Sequence, residues 1–174
     1  MKIRCTLHLD GKTIPFQLFS VLQETDDHVI LKLAAFIFFH SLEPLVITSS
    51  QQHPSLMGQD FSPDLMTADD TNQVTLWIQC GKTTLHKLDK ITKRFRGARI
   101  WMLMAHPLEA KQMAESLEDE GNTRIEVWCF KFGEFARWKN LIQDQNDIIG
   151  EATETSMNLV VNSQMFVTDL ERVR

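Results

Sequence analysis

The stretch from Val74 to Ala105 constrains the fold most. A dense β run from Val74 to Cys80 is followed, after Gly81, by a helical pattern from about Thr83 to Phe95 and a second β run from Arg99 to Ala105. Strands joined through a helix are normally parallel and connected right-handedly, which sets the helix against one face of a central sheet. The chain is therefore read as α/β, and its other segments are read as additions to that unit.

Upstream, residues 2–9 and 13–20 are β-rich runs separated by Asp10-Gly11, whose tolerance of positive φ signals a hairpin turn. Thr25 offers a hydroxyl N-cap, and Asp26 and Asp27 place negative charge in the first turn, where the helix dipole favours it. The apolar run from Val29 to Phe39 follows; interrupted by Lys32 and shorter than the roughly 20 residues a bilayer requires, it reads as a buried core helix. Residues 48–73 carry Ser, Gln, Asp and Thr with Pro54, Gly58 and Pro63 as breakers, and read mostly as an exposed excursion.

Downstream, His106-Pro107 starts a helix that continues to about Leu117 and stops at Gly121, and Arg124 to Phe130 reads as a strand. A short helix over Gly133 to Ile142 and β runs near 146–153, 157–162 and 165–170, the last two hinged at Asn162-Ser163, complete the pattern. At 174 residues one core suffices, so a single domain over 1–174 is expected. The start of the sequence shows no secretory signal, and Cys5, Cys80 and Cys129 are odd in number and set among apolar neighbours. Both points suit reduced thiols and a cytoplasmic, membrane-free protein.

Chemistry concentrates in Ser62-Pro63-Asp64, a spacer holding Asp69 and Asp70, and Trp77-Ile78-Gln79-Cys80-Gly81-Lys82. This order is similar to the PD-(D/E)XK nuclease superfamily, in which an Asp and an acidic residue on the next strand bind a divalent cation and a Lys two positions later assists the attacking water. Magnesium suits that task because it takes hard oxygen ligands, keeps several waters and polarises one of them against a phosphate. Asp64 fits the first position, and Gln79 occupies the acidic one, where a neutral amide attracts a dication less than a carboxylate does. Strand alternation puts Gly81 where the lysine is needed and points Lys82 away, unless the strand ends or bulges there.

From end to end the chain also resembles the YaeQ family of bacterial proteins, whose fold is a modified version of that core. The likeness is carried by Thr25-Asp26-Asp27-His28-Val29-Ile30-Leu31-Lys32-Leu33-Ala34-Ala35-Phe36, Pro63-Asp64-Leu65-Met66, Leu76-Trp77-Ile78-Gln79-Cys80-Gly81, Lys90-Ile91 and Val127-Trp128. It implies an α+β fold, a mixed central sheet with flanking helices in a restriction-endonuclease-like core with added β-hairpins. It also implies a candidate site in which Asp64 and Gln79 hold Mg or Mn, Lys82 or Lys90 orients water, and Asp27 is a further metal candidate. Gln79 stands where the family has glutamate. For Asp27 the plainer reading is dipole compensation.

A net charge of −5 argues against bulk attraction to nucleic acid, yet Lys82, Lys87, Lys90, Lys93, Arg94, Arg96 and Arg99 gather in one unit. Lys87, Lys90, Lys93 and Arg94 lie opposite the apolar stripe of Leu85, Leu88, Ile91 and Phe95, so nucleic acid held through residues 82–99 is one reading and a solvated helix face the plainer one. His8, His28, His40, His53, His86 and His106 show neither HxxxH nor HExxH spacing, which argues against a structural zinc site. Trp77, Trp101 and Trp128 read as core, with Trp138 the candidate for exposure. Two functions remain: a binding or interaction protein with a degenerate nuclease-type site, and a divalent-metal-dependent phosphodiesterase acting on nucleic acid.

Overall fold

The computed structural model describes residues 1–21, 24–47 and 53–174. Strands β1 (Lys2–Leu9) and β2 (Lys12–Phe19) form the expected antiparallel hairpin. Its two-residue turn takes φ of 48° at Asp10 and 78° at Gly11, the left-handed pair that matches the twist of the flanking strands. Ile3, Cys5, Leu7 and Leu9 point inward, as the alternation requires.

The C-terminal β runs join this hairpin. β8 (Gln145–Ala152) lies parallel to β1, and β9 (Ser156–Val161) and β10 (Gln164–Asp169) extend it antiparallel through the turn at Asn162 and Ser163. The hairpins thus build a sheet of their own, in the order β10-β9-β8-β1-β2.

The second sheet contains the βαβ unit. β5 (Val74–Cys80), β6 (Arg99–Met104) and β7 (Ile125–Cys129) are parallel, and β3 (Leu45–Val46), β4 (Leu65–Ala68) and β11 (Glu171–Arg172) complete the order β11-β7-β6-β5-β4-β3. The α+β class is as expected. β4 lies inside the stretch read as an excursion, because a four-residue strand is too short to show a period; Leu65 and Met66 in it are fully buried. Residues 48–52 of that stretch lie outside the described residues. Asp69 is a turn residue, its Oδ1 accepting from the Thr71 and Gln73 backbone N–H and from the Thr71 hydroxyl, and these bonds hold its carboxyl below the usual range.

Two cores result. Helices α2 (Leu85–Arg94) and α3 (Pro107–Asp119) cover one face of the second sheet, where Leu88, Ile91 and Leu117 meet Trp77, Ile100 and Met102. Helix α1 (Asp26–Phe38) occupies the other core, between the two sheets, and every residue from Val29 to Phe38 is buried, Lys32 included. Helix α4 (Glu134–Leu141) closes this core, and Trp138, read from the sequence as the exposed tryptophan, is wholly buried with its indole N–H 3.3 Å from the Ile30 carbonyl. Trp128 is the partly exposed one. Among the described residues no helix is long and apolar enough to cross a membrane.

Candidate functional site

The Asp64 and Gln79 side chains meet at the end of the second sheet. Asp64 is fixed by its backbone, donating to Ile78 O at 3.0 Å and accepting from Ile47 N at 3.0 Å, so its carboxylate is aimed along the end of β5. There Oδ2 accepts from the Cys80 N–H and from Gln79 Nε2, both at 2.7 Å. The other oxygen, Oδ1, lies 2.8 Å from His28 Nε2. Gln79 Oε1 is buried with no hydrogen-bond partner among the described residues.

Helix α1 brings the remaining charges. Thr25 caps it, its hydroxyl accepting from the His28 N–H at 3.3 Å, and this places the His28 ring in the first turn over Asp64. Glu24, one residue before the cap, turns its side chain back along the helix to Lys32, whose Nζ lies 2.5 Å from Glu24 Oε1; the two side chains are 4% and 5% exposed. His28 Nδ1 lies 3.7 Å from the same Glu24 oxygen. Two carboxylates, one ammonium and one imidazole therefore share a nearly dry volume, where each charge acts more strongly than it does in water.

Cys80 lies beside this cluster and is 1% exposed. Burial pushes its thiol well above the ordinary range, and Asp64 adds to that while Lys32 opposes it. Burial likewise raises Cys5 to about 12 and Cys129 to about 11. All three cysteines are free and buried, so a maleimide or disulfide reagent at pH 8 is expected to leave the native chain unlabelled and to titrate three thiols after unfolding.

The other sequence candidates are placed as follows. β5 ends at Cys80 and Gly81 takes φ +70°, so Lys82 lies beyond the strand, with its ammonium 2.9 Å from Glu109. Lys90 faces Asp60 at 3.7 Å and, with Arg94, lines a cleft of about 210 Å³ beside Phe61 and Trp77. Lys93 pairs with Asp89 one turn earlier at 2.8 Å, and Asp27 pairs with Lys139 at 2.5 Å on the surface. Lys87 turns toward the cluster: its Nζ lies 3.2 Å from Ser62 O, burial lowers its ammonium from the usual range, and the Asp64 carboxylate acts the other way.

A model of the YaeQ protein family matches residues 23–169. The chain belongs to the YaeQ family. Two solved structures share its fold: the YaeQ protein from Xanthomonas axonopodis pv. citri, at 16% identity and a TM-score of 0.74 over 98% of this chain and 96% of that one, and the YaeQ protein from Pseudomonas syringae, at 9% identity and 0.71 over 99% and 94%. No match is found among curated proteins.

In this YaeQ-family chain the donor set fits a divalent cation. Ligating atoms of Glu24, His28 and Asp64 all lie within 4.8 Å of one another, and the partnerless Gln79 Oε1 belongs to the amide bonded to Asp64. Glu24, His28 and Lys32 were not among the sequence candidates. The signal for them was present, since a lysine inside an apolar helix requires a carboxylate, and Glu24 stands one turn before His28 and two before Lys32.

Proposed function

We propose that this YaeQ-family chain, acting as one unit in the cytoplasm, is a binding or interaction protein on a nuclease-type scaffold whose hydrolytic reaction has been lost. One observation carries the reading: three donors, His28 Nε2, Gln79 Nε2 and the Cys80 N–H, already surround the Asp64 carboxylate. A hydrolytic site instead keeps carboxylate oxygens and metal-bound waters open toward the phosphate, with a cation free to follow the developing charge. Here Gln79 donates to Asp64 through its amide nitrogen, and the Lys32 ammonium is committed to Glu24.

The basic unit supports nucleic-acid binding less than its composition suggests. Lys82, Lys90, Lys93 and Arg99 each face a carboxylate, so fewer cations remain to displace counterions from a phosphate backbone.

The second reading is a divalent-metal-dependent phosphodiesterase. It is favoured by Lys32 and Lys87, which bring ammonium groups to the cluster from two helices where the strand offers only Gly81. A supercoiled plasmid incubated with magnesium or manganese distinguishes the two. The binding reading expects nicking at the buffer level for wild type and Asp64→Ala alike. Metal-dependent nicking that disappears in Asp64→Ala establishes the enzyme instead.

A further inference from the structure

The cluster of Glu24, His28 and Asp64 differs from an all-oxygen magnesium site through its imidazole. We propose that it binds a borderline first-row transition dication, of the zinc, cobalt and iron(II) class, in preference to magnesium or manganese. The inference goes beyond the non-hydrolytic reading and holds whether or not the chain cuts nucleic acid.

Donor chemistry selects the ion. Magnesium takes oxygen ligands in near-ideal octahedral geometry and sheds water reluctantly, whereas imidazole nitrogen suits zinc and the later transition ions. Two carboxylates and one imidazole form a mixed set that those ions accept readily. The loss of acidic character at Gln79 weakens the site for magnesium more than for zinc, because a hard ion depends more on formal charge.

The spacing is near what an ion requires. His28 Nε2 and Asp64 Oδ1 lie 2.8 Å apart, and tetrahedral ligands at zinc bond lengths of about 2.0–2.1 Å stand roughly 3.3–3.4 Å from one another. A cation therefore replaces the hydrogen bond between them once the two side chains part by about half an ångström. The Glu24 ligand falls inside the same 4.8 Å limit.

A second observation points to a ligand independently of the charges. Gln79 is 5% exposed, its amide is anchored on Asp64, and its Oε1 meets no donor among the described residues. Leaving a buried acceptor unpaired is costly, and a cation beside Asp64 supplies the electropositive neighbour it lacks. The His28 side chain, 33% exposed, is the way in.

The test uses the full chain, stripped of metal with a chelator and then titrated with zinc, cobalt, manganese or magnesium. Zinc and cobalt are expected to raise Tm, and cobalt to develop visible d–d absorption; magnesium and manganese at the same concentrations are expected to leave Tm unchanged. His28→Gln should weaken cobalt binding at least tenfold with an unaltered far-UV CD spectrum. His28→Asp, which makes the set all-oxygen, should shift preference toward magnesium. If Asp64→Asn fails to fold, these His28 variants, at a partly exposed first-turn position, carry the test alone. No cobalt spectrum and no Tm change in the wild type overturns the proposal. So does undiminished cobalt binding in His28→Gln, or an equal Tm rise with magnesium and zinc.

Discussion

Glu24→Gln is expected to destabilise the fold by about 3–5 kcal/mol, and adding Lys32→Met to the same chain is expected to return most of that loss. Both side chains are almost fully buried and lie 2.5 Å apart. Removing the carboxylate leaves an ammonium in the middle of a helix with apolar surroundings and no access to water, and this unpaired charge sets the size of the effect. The double variant removes both charges, and methionine replaces the lysine stem with an apolar chain of similar length. Urea unfolding of the four members of the cycle measures it. A double variant as unstable as Glu24→Gln alone would show that the pair is not what Lys32 requires.

Gly150→Ala should cost at least about 3 kcal/mol, through backbone alone. Gly150 takes φ +149°, a conformation that L side chains rarely adopt, and a Cβ there would lie 2.2 Å from the Asn158 carbonyl oxygen. That oxygen belongs to the neighbouring strand, where Gly150 is paired with Leu159, so it cannot retreat without opening the β8–β9 ladder. Gly97→Ala is the control: nothing lies within 4 Å of its added Cβ, and a change within about 0.5 kcal/mol is expected. Thermal unfolding of the two variants side by side decides the matter, and similar melting temperatures would remove the steric argument.

Features set by neighbouring residues are legible in the sequence. Asp10-Gly11 specifies its turn by φ, Thr25 caps α1 through its own hydroxyl, and the Val74–Cys80 and Arg99–Met104 strands come out parallel as their helical crossover demands. Features that depend on partners distant in sequence are not. The four residues of β4 carry no period of their own and gain identity only by pairing with β5. Trp138 sits in a helix of mixed polarity, and it is buried against residues distant in sequence, among them Ile30 of α1 and Phe166 of β10. The candidate site divides along the same line. Asp64 and Gln79 could be matched to a motif by spacing along the chain, whereas Glu24, His28 and Lys32 join them only because α1 runs past the end of β5. Lys87 was read as facing solvent, and the Ser62 carbonyl draws its ammonium inward.

The placement of α1 between the two sheets has a consequence for how the chain unfolds. Ile3, Leu7 and Leu9 of one sheet and Leu76, Ile78 and Trp101 of the other belong to a single cluster whose centre is that helix, so the two facing linings are held in common, while the far face of the second sheet keeps its own core under α2 and α3. Withdrawing α1 strips both facing linings at once, so the N-terminal hairpin, the parallel strands and the C-terminal strands are expected to lose their shared core together. Amide protons from Leu31 to Phe38 should accordingly exchange with solvent only when the whole molecule opens.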